Sequence, residues 1–241
     1  MRAILTYHSI DDSGSVISVS PERFASQVRW LASGAVDVVS VPDLLALPPD
    51  RAAVAITFDD AFRNFASAAW PLLRDAGIPV TLFVPTGHVG KTNHWAATPG
   101  GAMPTMPLLG WDELARIAAE GVRLGAHTRT HPDLRTLAAA AIVDEVAGSV
   151  ADILGATGQR ADGFAYPYGY HDARVLGATR SLCDWAVTTV LARVAPHPDA
   201  HCLPRLDAYF LNGPGRLEGY GSLRFRGYMG LRAVVRRARG K

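Results

Sequence analysis

The strongest constraint on how this chain can fold is an alternation. Eight short apolar or β-branched runs, at residues 3–7, 36–41, 53–58, 80–84, 122–126, 163–166, 185–189 and 202–206, are candidate strands. Between several of them lie stretches with helical period, at residues 21–33, 62–76, 111–120, 137–154 and 173–182. Strand and amphipathic helix in alternation predict a parallel sheet, because each parallel pairing needs a long crossover and a helix supplies it. About eight such strands in 241 residues favour an irregular (β/α)7–8 barrel of distorted TIM type over an open doubly wound sheet. Local punctuation agrees. Ser20 before Pro21 predicts a helix start, and Gly34, Gly77 and Gly121 sit where a left-handed C-cap is expected.

Composition enters by exclusion. Two cysteines, Cys183 and Cys202, cannot build a disulfide framework or a four-thiolate zinc site. Every apolar run is interrupted too early to span a bilayer, and the opening Met-Arg-Ala-Ile-Leu-Thr-Tyr-His turns polar too soon for a signal peptide. A soluble, cytoplasmic protein is the expectation. The net charge of +2 conceals a split, since residues 215–241 carry eight basic residues against Glu218. That tail is therefore +7 and the rest of the chain −5. The split argues against a nucleic-acid-binding body, and it leaves a basic tail that could touch anionic lipid or phosphate. Within the tail, residues 231–239 read as a basic amphipathic helix, packed on or beside the barrel or peripheral to a membrane. The chain divides into a catalytic barrel at 1–214 and this tail at 215–241, a monomer or weak oligomer.

Three segments carry chemistry. Ile56-Thr57-Phe58-Asp59-Asp60 is a buried strand ending in two carboxylates, and barrels keep their active face at that end. Adjacent carboxylates repel, so a cation or a shared proton is needed, unless Asp60 merely caps the next helix. Gly125-Ala126-His127-Thr128-Arg129-Thr130-His131-Pro132 pairs two imidazoles, and Pro132 disfavours a helix at His131, so the pair reads as a strand end entering a loop. One carboxylate with two imidazoles suits Zn²⁺ or another divalent ion, which would leave the second Asp as a base. Phe164-Ala165-Tyr166-Pro167-Tyr168-Gly169 is a further strand end, whose aromatics and backbone N–H groups could form a groove wall. Residues 87–110, with His88, His94 and Trp95, show no period; the segment is a lid, a substrate wall or a plain surface excursion.

In this order the three segments resemble the polysaccharide deacetylase family, the carbohydrate esterase family 4 or NodB-homology enzymes. That family has Thr-Phe-Asp-Asp, His-(Ser/Thr)-x-x-His and Arg-x-Pro-(Tyr/Phe) motifs on an irregular barrel. Here they stand at residues 57–60, 127–131 and 165–168, and the likeness extends from about Ile4 to Tyr209. The resemblance implies that Asp60, His127 and His131 hold a divalent metal, Zn²⁺ first, with Co²⁺, Ni²⁺ and Fe²⁺ as other candidates. It implies Asp59 as general base, and Tyr166, Pro167 and Tyr168 around the substrate and its oxyanion; Trp95 joins them where residues 87–110 form a substrate wall. Two family features are missing: the third-motif Arg is Ala165, and no Leu-x-His follows Asp207. Arg205 is a candidate for the first. His8, ending the strand Ile4-Leu5-Thr6-Tyr7-His8, is a candidate general acid, as in the circularly permuted branch that this N-terminus resembles.

The function so implied is metal-dependent hydrolysis of an N-acetyl amide on an amino sugar within a glycan, or on one linked to a nucleotide or lipid. Two rivals stand beside it: a hydrolase of a small amide, formamide or imide, and a catalytically silent sugar-binding barrel.

Overall fold

The computed structural model describes residues 1–96 and 104–238. A parallel sheet closes on itself through β1 (Arg2–Tyr7), β2 (Ala53–Phe58), β3 (Val80–Val84), β4 (Arg123–Ala126), β5 (Gly163–Ala165), β6 (Trp185–Leu191) and β7 (Leu203–Asp207). The N-terminal strand is the closing stave. It pairs with β2 from Arg2↔Ala53 to Tyr7↔Phe58, and with β7 at Leu5↔Leu206 and Thr6↔Asp207. The barrel is thus seven-stranded. The eighth expected strand shrinks to Asp37–Val38, which lies along the lower part of β2 outside the ring. Its physical reason is Ser40, whose hydroxyl accepts from the Asp43 N–H and caps a short helix beginning at Val41.

The helices are α1 (Pro21–Leu31), α2 (Val41–Ala46), α3 (Trp70–Asp75), α4 (Trp111–Ala119), α5 (Ala139–Thr157), α6 (Ala173–Leu182) and α7 (Leu223–Ala238). Ser20 caps α1 by accepting from the Arg23 N–H. Gly34, Gly77 and Gly121 take φ values of 80°, 64° and 111°, which only a residue without a Cβ adopts freely. The single helix expected over 62–76 is broken: Phe65–Ala69 is a wide π-turn and α3 begins only at Trp70. Pro71 supplies no N–H and its ring crowds the carbonyl four residues back, so the ladder widens before it.

Strand alternation separates two cores. Ile4, Ala53, Ala55, Phe83, Trp185 and Val187 fill the lumen. Leu5, Val54, Ile56, Phe58, Leu82 and Leu124 face outward under the helices. Along β2 the inward series Ala53, Ala55, Thr57, Asp59 turns from apolar to ionic towards the C-terminal rim, and that gradient places the site. The opposite end is plugged by Arg2, which donates to the carbonyls of Leu44, Leu47, Ala195 and Pro196. The C-terminal segment packs on this body. Leu217, Phe225 and Met229 join the outer core. Tyr220 donates to the Met1 and Ala53 carbonyls at one end of the barrel, and Arg236 of α7 reaches Asp207 at the other. Among the described residues no helix is long and apolar enough to cross a membrane.

Candidate active site

Asp59 continues the inward face of β2 and is 3 % exposed. From β7, Arg205 meets it with a two-pronged contact, Nη1 to Oδ1 and Nη2 to Oδ2, both 2.6 Å. The guanidinium is itself fixed, since Nη1 also donates to Thr57 Oγ1 at 3.2 Å and Nε to the Thr188 carbonyl at 2.9 Å. Burial works against a charge on Asp59, but the Arg205 charge and its hydrogen bonds outweigh it and hold the carboxyl below its ordinary value. His8, one step past β1, lies beside this pair with Nε2 at 3.8 Å from Asp59 Oδ2.

Asp60 points elsewhere. Its φ of 70°, followed by 53° at Ala61, swings the chain sharply after β2 and turns the second carboxylate towards the end of β4. There, Nε2 of His127 and of His131 stand 3.4 and 3.6 Å from Asp60 Oδ1. The other ring nitrogen of His127, Nδ1, is 2.7 Å from the Ala165 carbonyl, which makes Nδ1 a donor and turns Nε2 towards Asp60; burial opposes a charge on this ring, but Asp60 and Asp59 outweigh it and raise its pKa. Burial, with His127 nearby, pushes His131 down to about 3, so its ring is neutral. Burial opposes the charge on Asp60 too, yet the two imidazoles overcome this and its pKa falls.

Asp60 Oδ1 and His131 Nδ1 are buried without a hydrogen-bond partner. One carboxylate and two imidazoles whose ligand atoms lie within 4.8 Å of one another, with an orphaned oxygen among them, fit a divalent cation. Helix capping, the plain explanation for Asp60, is not what the side chain does.

The loop between the two histidines is clamped from α5. The N–H groups of Arg129 and Thr130 both donate to Glu145 Oε2, at 2.7 and 2.9 Å. Asp152 accepts from Arg129 Nε and Nη2, both at 3.0 Å, and from Thr86 Oγ1 at 2.7 Å. Gly148 opens the seat between them, because a Cβ there would overlap the Arg129 guanidinium. Thr128 and His131 have φ of 64° and 58°, and the His131 N–H donates to Thr128 Oγ1, so the loop is a strained turn held from outside.

A cavity of about 540 Å³ opens over these groups. Trp95 stacks on His131 at 4.8 Å between ring centroids, and Tyr168 meets the same ring edge-on at 4.8 Å. Tyr166 also borders the cavity, but it is 1 % exposed and its hydroxyl is engaged by Thr179 and the His201 carbonyl. Pro167 is buried in the turn behind Tyr168. Of the aperiodic segment, 97–103 lies outside the described residues. The part before it delivers Trp95, and the part after it returns beside Phe62 through Leu108. Sequence reasoning passed over Asp207, Arg232 and Arg236, which also line the cavity. For Asp207 a signal existed, since it stands two residues past Arg205 on one strand and so shares its face. For the α7 arginines none did.

The family model described as Polysaccharide deacetylase matches residues 46–183, more than half of the chain. YxkH of Bacillus subtilis (strain 168) is 24% identical over 192 residues, which cover 77% of this chain and 63% of that protein. The poly-beta-1,6-N-acetyl-D-glucosamine N-deacetylase of Staphylococcus aureus is 37% identical over 81 residues, 32% of this chain and 28% of the relative. The chain thus spans less than two thirds of either relative. Among solved structures, IcaB from Ammonifex degensii is similar with a TM-score of 0.71 and 24% identity, over 90% of this chain and 94% of that one. Streptococcus pyogenes deacetylase PplD, in complex with acetate, is similar with a TM-score of 0.71 and 22% identity, over 85% of this chain and 91% of that one. Both share the fold.

Proposed function

Because the chain belongs to the polysaccharide deacetylase family, we propose that it hydrolyses the N-acetyl amide of an amino sugar to acetate and a free amine. The observation that carries this reading is the contrast within one dyad: Asp59 fully paired to Arg205, beside Asp60 left unpartnered among His127 and His131. Held by Asp60, His127 and His131, a divalent ion, zinc by the chemistry of the donor set, would supply Lewis acidity to the amide carbonyl and acidify a water.

The protein's own groups do the rest. Asp59 takes the proton of the attacking water. Arg205 grips both of its oxygens but leaves each a second lone pair, so the base is oriented without being blocked. His8, whose Nε2 lies 3.8 Å from Asp59 Oδ2, would protonate the amine nitrogen as the C–N bond breaks, since an amide nitrogen leaves poorly as an anion. Trp95 and Tyr168 hold the His131 ring between them and form apolar walls suited to a sugar face. Arg205, seated on Asp59 where the family's third-motif Arg is replaced by Ala165, speaks against a silent sugar-binding barrel. The name of the Staphylococcus relatives suggests an N-acetylglucosamine unit as substrate.

Acetate release from N-acetylhexosamines, with and without chelator, tests the reading. Release that chelator abolishes and added zinc restores is expected; release unaffected by chelator, or formate release from small amides alone, overturns it. His8→Ala should retain bound metal and lose turnover by about 10²–10⁴-fold, the usual worth of a general acid, and unchanged turnover would return His8 to a structural role.

A further inference from the structure

The cavity has a cationic wall that the proposed reaction does not use. It comes from α7, whose Arg232 and Arg236 line the space above the Asp-His-His group. The two differ in what neutralises them. Arg236 faces Asp207 at 3.9 Å, and the nearby Glu218 is matched by Arg23 at 3.7 Å. Arg232 and Arg216 have no carboxylate partner among the described residues.

Instead they are held by aromatic faces. The Arg216 guanidinium carbon lies 3.9 Å from the Tyr228 ring centroid, and that of Arg232 lies 5.3 Å from Tyr228 and 5.5 Å from Phe210. Arg232 Nε donates to the Tyr228 hydroxyl at 3.2 Å, and that hydroxyl donates to the Phe210 carbonyl at 3.0 Å. This arrangement positions two guanidinium planes without cancelling their charge, and the Nη groups of Arg232 donate to nothing among the described residues. Between the two arginines is a second cavity of about 300 Å³. It shares Tyr209, Phe210 and Arg232 with the larger one, so a ligand could occupy both at once.

We propose that Arg232 and Arg216 form a phosphate subsite, and that the substrate is an N-acetylated sugar bearing a phosphate or diphosphate ester. This rests on the deacetylase reading and deepens it. Guanidinium forks match the several oxygens of a phosphate, and a sugar esterified at C1 carries that phosphate next to its C2 acetamide. A nucleoside diphosphate or a lipid diphosphate would both supply it. Leu223 and Leu231, exposed on the same helix, offer apolar contact to the second.

The test compares kcat/KM for acetate release from a nucleoside-diphosphate N-acetylglucosamine, a polyprenyl-diphosphate N-acetylglucosamine in micelles, and neutral β-1,6-linked N-acetylglucosamine oligomers. Wild-type enzyme should prefer phosphate-bearing substrates, and Arg232→Gln should reduce that preference at least about tenfold, as expected when a charge-assisted hydrogen bond is lost. Arg232→Lys, which keeps charge without the fork, should fall between. A preference for one carrier or for both supports the subsite and identifies the source. No preference, or a preference unchanged in Arg232→Gln and Arg216→Gln, overturns it. Titration calorimetry with the nucleoside-diphosphate sugar separates the two layers. Binding that Arg232→Gln weakens, without acetate release from any substrate, retains the subsite and rejects the reaction. Acetate release from neutral oligomers without such binding rejects the subsite alone.

Discussion

Asp59 and Asp60 are chain neighbours with the same side chain, and they sit in opposite electrostatic settings. The Arg205 side of the site is closed: Asp59 has a guanidinium on both oxygens and contributes a fixed, compensated charge. The histidine side is open: Asp60 Oδ1 is buried without a hydrogen-bond partner, and two imidazole nitrogens face it at 3.4 and 3.6 Å. Alternation along β2 points Asp59 into the lumen, and the left-handed turn at Asp60 throws the next side chain across the rim. One peptide bond separates a carboxylate paired on both oxygens from one whose buried oxygen has no partner. In the proposed reading, this lets a single strand end provide both a base and a ligand without their repelling each other into protonation.

The comparison can be broken at several points. The largest effect is expected from Asp59→Asn, which should lower turnover by about 10²–10⁴-fold while bound metal, read by elemental analysis, is retained. Asp60→Asn should do the reverse to metal content, and equal metal loss in both variants would erase the division of labour. Arg205→Met removes the compensation of a buried carboxylate. It should reduce stability by about 3–5 kcal/mol in urea unfolding, and a near-neutral result would mean that Asp59 is not a buried anion. Glu145→Gln leaves the clamp on the histidine loop weaker, so metal affinity should drop with a stability loss of about 1–3 kcal/mol. An isotherm for zinc identical to wild type would show that the loop holds itself.

The smallest expected effect is a pH dependence. The Arg129 hydrogen bonds to Asp152, against a small burial penalty, depress that carboxyl below its ordinary value. A depressed carboxylate contributes stability that is present above its unfolded pKa and lost as pH falls through the folded one. The group is partly exposed, so the difference between wild type and Asp152→Asn should be under about 1 kcal/mol at pH 7. It should vanish at acid pH below both values. A difference that persists there would assign the effect to packing instead of charge.

Much of this architecture was legible in advance because its causes are local. Apolar and β-branched runs, Ser20 with Pro21, and glycines after helical stretches are decided within a few residues, and all the strands they predicted except that at 36–41 are found within one or two positions. The two local failures are also local in origin: Ser40 started a helix where a strand was expected, and Pro71 broke one helix into a π-turn and an α-helix. The metal-type triad was readable since Asp60 and the histidine pair each end a strand. The clamp from Glu145 and Asp152 was not. Nothing in a helical pattern says which exposed carboxylate will meet backbone N–H groups of a loop many residues away.

The sequence by itself therefore determined the barrel, its active rim and the Asp-His-His set, because alternation and strand ends are properties of neighbouring residues. The sequence offered Arg205 as a candidate for the missing arginine, but only the tertiary structure set its two-pronged contact with Asp59 and decided which helix would wall the cavity. Those outcomes depend on closure of the ring between β1 and β7 and on the path of α7 along the barrel's outside. Both bring together groups far apart in the chain, and no local preference encodes their distance.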